Sequence, residues 1–213
     1  MSDRIESLVT VREPGFNEVF DSQAVFRALL DSISRPGRIF QVPLVPYPAS
    51  PRGFCPQVLS LLKTLCDHRV SFSVGRCDTR SEWIRYLEVN LTAQFKALEN
   101  AQYVLLDGAS CDPGFSTLTR GSLEFPESSA TALLSVMRLS SEGDNSEGPA
   151  CDLVLEGPGV DGRSTLSVTG LDPAYAAERE KMNRLYPLGV DLFLVDPDGR
   201  VAGIPRTTTV EVA

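Results

Sequence analysis

Apolar residues near the start of the chain recur at helical spacing. Val25, Phe26, Leu29, Leu30 and Ile33 fall on one side of a helical repeat, and Asp21 or Ser22 stands where an N-cap is expected. The spacing predicts a helix from there to about Ile33, with that apolar set facing the core and Arg27 and Asp31 turned away. Arg35-Pro36-Gly37-Arg38 stops it. Proline presets φ at the second position of a turn and glycine supplies positive φ at the third, which is type II turn chemistry. A short strand over 39–42, a proline-rich loop over 43–56 and a second helix over 56–66 follow, the helix with Val58, Leu61, Leu62 and Leu65 inward. Val70 to Val74 alternates as a strand, 81–90 reads as a helix carrying the only tryptophan, Trp83, and 102–106 is a buried strand closed by Asp107-Gly108.

Beyond a loop-rich stretch, one strand is expected over 131–139. A Gly/Ser/acid segment over 140–150 reads as a mobile surface loop. Strands over 152–155 and 164–168 flank a Gly/Pro turn, and Asp172-Pro173 opens a helix running to about Leu185. The segment 191–195 is a strong strand, and the turn Asp196-Pro197-Asp198-Gly199 leads to a last strand over 201–204. The first sixteen residues read as an extended arm. Helices alternate with strands early and strands dominate later. That order implies an α/β fold, a mixed sheet with helices packed on it in three layers, in one domain.

Composition narrows what such a domain binds. The net charge is −8, and arginine outnumbers lysine 17 to 3. An acidic surface disfavours non-specific nucleic-acid binding, so any anionic ligand must be met by a local arginine cluster. Five cysteines, at 55, 66, 77, 111 and 151, have no CxxC pair and an odd count, which argues against a zinc knuckle or a disulfide framework. The N-terminus lacks the basic and apolar regions of a secretory signal, and no apolar run is long enough to span a bilayer. A cytoplasmic protein with reduced thiols is expected.

The candidate chemistry is sparse. Gly157-Pro158-Gly159 lacks the features of a phosphate loop; it is either a tight turn between strands or a place where a partner or ligand approaches the backbone. His68, the sole histidine, sits at a helix end and fits a capping role. Asp191 opens an apolar strand, so its carboxylate needs a cation such as Arg206 or Arg184, as a structural salt bridge or as a site residue. Asp107, at the end of a buried strand, and Glu127, after Pro126, are the other candidate carboxylates. Arg206-Thr207-Thr208-Thr209 joins a guanidinium to hydroxyls suited to phosphate or phosphonate oxygens; a β-branched tail pairing with a sheet edge explains the threonines equally well. No catalytic residue, cofactor-binding residue or metal ligand stands out.

Taken in order, Phe26-Arg27, Arg35-Pro36-Gly37, Pro126-Glu127, Gly157-Pro158-Gly159-Val160, Pro187-Leu188-Gly189-Val190-Asp191 and Ile204-Pro205-Arg206-Thr207 resemble the PhnH family, a subunit of the bacterial carbon–phosphorus lyase core complex. The resemblance spans about Phe20 to Thr208. It departs at Ser128-Ser129, where the family tends to place glycine, and at 142–149, which looks inserted. It implies a fold like that of pyridoxal-phosphate-dependent transferases, used without that cofactor. It also implies an accessory role beside other core subunits, as they couple alkylphosphonate to the ribose of ATP with release of adenine. Radical cleavage of the carbon–phosphorus bond falls to another subunit. The lysines agree independently: Lys63 and Lys181 lie in predicted helices, and Lys96 lacks a Schiff-base context. The isolated chain is expected to be a homodimer, with Arg27, Arg206, Thr207, Asp191, Glu127 and Asp107 the candidates for contacting a phosphonate or nucleotide-derived ligand. The competing readings are a stand-alone enzyme acting on a phosphorylated small molecule and a purely structural homodimer.

Overall fold

The structure, a computed structural model, describes residues 12–141 and 150–213. The described residues form two sheets and four α-helices. The helices are α1 (Phe20–Ser34), α2 (Val58–Leu65), α3 (Arg80–Asn90) and α4 (Ala174–Asn183). A seven-stranded sheet runs β1 (Phe40–Gln41), β10 (Arg200–Ile204), β9 (Asp191–Val195), β5 (Thr131–Ser135), β4 (Tyr103–Asp107), β2 (Ser71–Val74) and β3 (Gln94–Phe95), in that spatial order. The strands from β9 to β3 are parallel, and β10 and β1 add antiparallel at one edge. The second sheet, antiparallel, runs β11 (Thr209–Val212), β7 (Ala150–Glu156), β8 (Ser164–Thr169) and β6 (Arg138–Ser141).

The two-residue period of the strands decides how these pieces stack. Leu105, Leu133, Phe193 and Val195 point to one side of the large sheet, where they pack with Val25 and Leu29 of α1, Leu61 and Leu62 of α2 and Trp83 and Leu87 of α3. Val104, Leu106, Leu134, Leu192 and Leu194 point to the other, against Leu153 and Leu155 of β7, Leu166 and Val168 of β8 and Tyr175 of α4. Both faces of the parallel strands are therefore covered, which is why they read as continuous apolar runs. The mixed α/β sheet matches the expectation. The third layer, expected to be helical, is mostly the antiparallel sheet with α4 beside it.

Several local expectations are corrected. The segment read as one strand over 131–139 is two. β5 ends at Ser135, the Val136 amide bonds the Val195 carbonyl, and the Leu139 amide donates to the buried Asp196 carboxylate, which carries the chain over into the second sheet. The C-terminal segment past Arg206 forms β11 on β7, as the sheet-edge alternative held. On α1, Val25, Ala28, Leu29 and Ser32 are buried, whereas Phe26 and Leu30 are exposed. The apolar arc of that helix is wider than its packed face, and Gly203 decides which part goes in: a Cβ there would lie 2.8 Å from the Ile33 amide nitrogen, so only glycine lets β10 meet this side of the helix. Residues 1–11 of the expected arm and 142–149 of the expected loop lie outside the described residues. Glu13 is buried, its carboxylate accepting from the Ala49 amide and the Tyr86 hydroxyl, so the end of the arm is pinned to the helical layer. No helix among the described residues is long and apolar enough to cross a membrane.

Candidate functional site

The carboxyl ends of the parallel strands are the first place to look. β2 leads to β3 on one side of the sheet and β4 leads to β5 on the other, so the crevice between the ends of β2 and β4 is a topological switch point. Here the protein supplies its own anion. The buried Asp112 carboxylate accepts from the Arg76 amide at 2.5 Å and the Gly114 amide at 2.7 Å. A Cβ on Gly75 would stand 2.6 Å from that carboxylate, so glycine at the end of β2 is what admits it. The loop after β4 is clamped from α4 as well. The Tyr175 hydroxyl donates toward the Asp107 and Ser110 carbonyls and accepts from the Asp112 amide. Asp172 accepts from the amides of Cys111 and Ala174, which hold its carboxyl below the usual range. Asp107 closes β4 half-buried, and its carboxylate bonds the Ala109 amide.

The other candidate carboxylate lies at the opposite end of the sheet. Asp191 is the first residue of β9, paired with Thr131 at the start of β5, whereas Asp107 pairs with Ser135 at its end. Arg206 grips Asp191 three ways. Its amide donates to Oδ1 at 2.7 Å, Nε to both oxygens at 3.2 Å and Nη2 to Oδ2 at 2.5 Å. The remaining nitrogen, Nη1, reaches the Pro126 carbonyl at 2.9 Å and the Pro187 carbonyl at 3.4 Å. Of the two cations weighed for Asp191, Arg206 is the partner. Its guanidinium is spent on holding three chain segments together. Glu127 is exposed next to this knot, Thr207 is exposed beyond it, and Arg27 stands on the outer surface of α1.

The segments singled out in the sequence meet through their glycines and this arginine. A Cβ on Gly159 would collide with the Ser34 carbonyl, and one on Gly37 with the Ser164 side chain, so the turn after α1 packs closely on the segment between β7 and β8 and on the start of β8. Gly157, in the same turn, sits where a Cβ would lie 2.9 Å from the Thr207 carbonyl oxygen. Gly189 backs onto the Arg206 Cβ and the Asn183 amide, whose oxygen and nitrogen bond the Val190 backbone. Gly203 backs onto α1. The segments 32–37, 126–127, 157–159, 187–191 and 203–208 thus form one continuous band. Sequence reasoning found its members and missed Arg179. That fully buried side chain donates to the carbonyls of Pro205 and Thr208 and to Glu180, with its charge disfavoured by burial and its pKa brought down to about 10. An arginine on a helix with polar neighbours carries no signal of burial. Exposed apolar side chains lie along α1, which runs into the band (Val19, Phe20, Phe26 and Leu30), and next in sequence to the knot (Phe125, Leu185 and Tyr186).

Among the described residues no group of three or more His, Cys, Asp or Glu is placed to hold a metal ion. The thiols are shielded. Burial pushes Cys55 and Cys66 up to about 12 and Cys111 up to about 11. What this region is built to do is hold backbone segments in fixed relation and present a surface.

Comparison with known proteins gives that surface a context. The model of a family described as bacterial phosphonate metabolism protein (PhnH) matches residues 14–211. A C–P lyase subunit protein, HtxG, of Stutzerimonas stutzeri is 37% identical over 190 residues, covering 89% of this chain and 86% of that protein. The PhnH subunit of alpha-D-ribose 1-methylphosphonate 5-triphosphate synthase of Rhizobium meliloti (strain 1021) is 27% identical over 194 residues, covering 91% and 92%.

Proposed function

Because the chain belongs to the PhnH family of bacterial phosphonate metabolism proteins, we propose that it is an accessory subunit of a carbon–phosphorus lyase core complex. In that role it supports the coupling of an alkylphosphonate to the ribose of ATP with release of adenine. The observation that carries the reading beyond kinship is the band itself. Its arginine and glycines are engaged in fixing backbone segments, and apolar side chains stand exposed along α1 and next in sequence to the knot, an arrangement suited to docking on another protein. The other core subunits are the partners. In isolation the same apolar flank of α1 serves a homodimer.

The crevice at the strand ends supports an accessory role over a stand-alone one. In open α/β proteins that crevice takes the ligand, and here the Asp112 carboxylate already occupies the Arg76 amide at the end of β2. A likeness to the pyridoxal-phosphate-dependent transferase fold, used without that cofactor, is part of this reading. The test is co-expression with the other core subunits of the same organism, followed by size-exclusion chromatography and an assay of phosphonate-dependent adenine release. This chain should co-elute with the complex and release no adenine alone. Release by the isolated chain would favour the stand-alone enzyme, and persistent absence from the complex would remove the subunit reading.

A further inference from the structure

The two turns that pack on each other, after α1 and after β7, leave a cleft between them that serves no structural purpose described above. It has a volume of about 310 Å³ and opens into a second hollow of about 480 Å³, the two sharing Arg38, Arg163 and Ser164. Three arginines line it in a protein of net charge −8. Arg35 and Arg38 come from the Arg35-Pro36-Gly37-Arg38 turn, and Arg163 from the loop before β8. The two turns approach closely at two glycines. Gly37 lies against the Ser164 side chain and Gly159 against the Ser34 carbonyl, so neither position accepts a larger residue while the turns stay packed. Arg35 is further fixed by its guanidinium lying 4.8 Å from the centre of the Phe40 ring.

We propose that this cleft binds a tetrahedral oxyanion, the phosphoryl or phosphonyl head of a small molecule. Arg38 makes no ion pair among the described residues and is exposed beside the cleft. Arg35 pairs with Asp31 and Arg163 with Glu156, but in both pairs each side chain is at least two-fifths exposed. Pairs of that kind contribute little in water, so an incoming dianion can replace the carboxylates at small cost. Arginines contributed by two separate turns suit a tetrahedral anion, and Ser164 and Thr165, which line the adjoining hollow, carry hydroxyls able to donate. Asp161 also lines the cleft and works against an anion, which makes it a handle on the site. An acidic peptide from a partner protein would find the same charges. The small volume of the narrower hollow, walled by two turns, favours a compact head group over an extended chain.

The experiment is calorimetric titration of the isolated, full-length chain at low ionic strength with inorganic phosphate, methylphosphonate, ATP and, as a macromolecular control, poly-glutamate. Saturable one-site binding of at least one small anion is expected, falling as salt rises. Arg38→Gln and Arg163→Gln should each weaken it about tenfold, the loss of a charge-assisted contact. Asp161→Asn should tighten it, and none of the three substitutions should move the melting temperature by more than a degree or two, roughly the effect of a surface change. Phosphate and methylphosphonate binding alike would identify the tetrahedral head as the ligand; ATP binding alone would identify a polyphosphate chain. The proposal is overturned if no small anion saturates the protein, if only poly-glutamate binds, or if the arginine variants bind as tightly as the parent. The measurement does not depend on assembly: a chain that fails to join the other subunits would still bind the anion if the cleft is a site.

Discussion

At the scale of single residues, charged groups in this protein are mostly fasteners. Arg206 joins Asp191 to the carbonyls of Pro126 and Pro187, and Arg179 ties α4 to the Pro205 and Thr208 carbonyls. Removing one side of such a pair leaves the other half-buried and unmatched. Asp191→Ala and Arg206→Ala should each cost about 1.5–3 kcal/mol in urea unfolding. Arg206→Lys should recover little of this, because an ammonium cannot reproduce a planar fork. A combined Asp191→Ala/Arg206→Ala protein should be less destabilised than the sum of the two, and strict additivity would show that the pair is not coupled. The need of Asp191 for a cation was legible from its place before Leu192-Phe193-Leu194. The choice of Arg206 over Arg184 was not, because it depends on β9 and the segment after β10 lying side by side.

At the scale of elements, strands were easier to read than faces. Apolar runs such as 102–106 and 191–195 are short enough to read as buried strands, and both are. The helix over 20–34 was equally plain, yet Phe26 and Leu30 proved exposed, since a period says which residues share a side and not which side meets the sheet. Turn glycines told more than their local chemistry. Gly159 and Gly162 both have positive φ, at +84° and +68°, so alanine strains the backbone at either by about 1–2 kcal/mol. Only at Gly159 is the added Cβ also driven into the Ser34 carbonyl; at Gly162 nothing lies within 4 Å. Gly159→Ala should therefore destabilise clearly more than Gly162→Ala in thermal unfolding. Equal losses would mean that the contact between the two turns carries no weight. No single-sequence signal marks which of two similar glycines touches a distant turn, and for the same reason the cleft lined by Arg35, Arg38 and Arg163 was not foreseen.

At the scale of the whole molecule, burial of acids sets the pH response. Desolvation raises Cys55 and Cys66 from 9.0 to about 12, and Tyr47 from 10.0 to about 12. These groups stay protonated in the folded chain at pH values where the unfolded chain loses its protons. Below about pH 9 both states hold the proton and the contribution to stability is complete. Between about 9 and 12 the unfolded state binds fewer protons, so stability falls as pH rises, by about 1.4 kcal/mol per group per pH unit at most. Melting temperatures should be flat through neutral pH and drop steeply above pH 9; a flat profile to pH 11 would mean that these side chains are reachable by water. The exposed stripe of α1 makes the opposite demand. Phe26→Asp with Leu30→Asp should leave the isolated chain folded, since neither side chain is part of the core, while converting its homodimer to a monomer, with only the loss of melting temperature that goes with losing that interface. The same pair of changes bears on the central claim, that this chain acts by docking on other subunits. The most direct measurement is co-purification of the parent and of the Phe26→Asp/Leu30→Asp protein with the co-expressed carbon–phosphorus lyase core subunits, with adenine release read on each preparation. The account predicts that the parent co-elutes and supports release, while the folded double variant is lost from the complex and release falls with it. Adenine release by this chain alone, or a parent chain that never enters the complex, would contradict it.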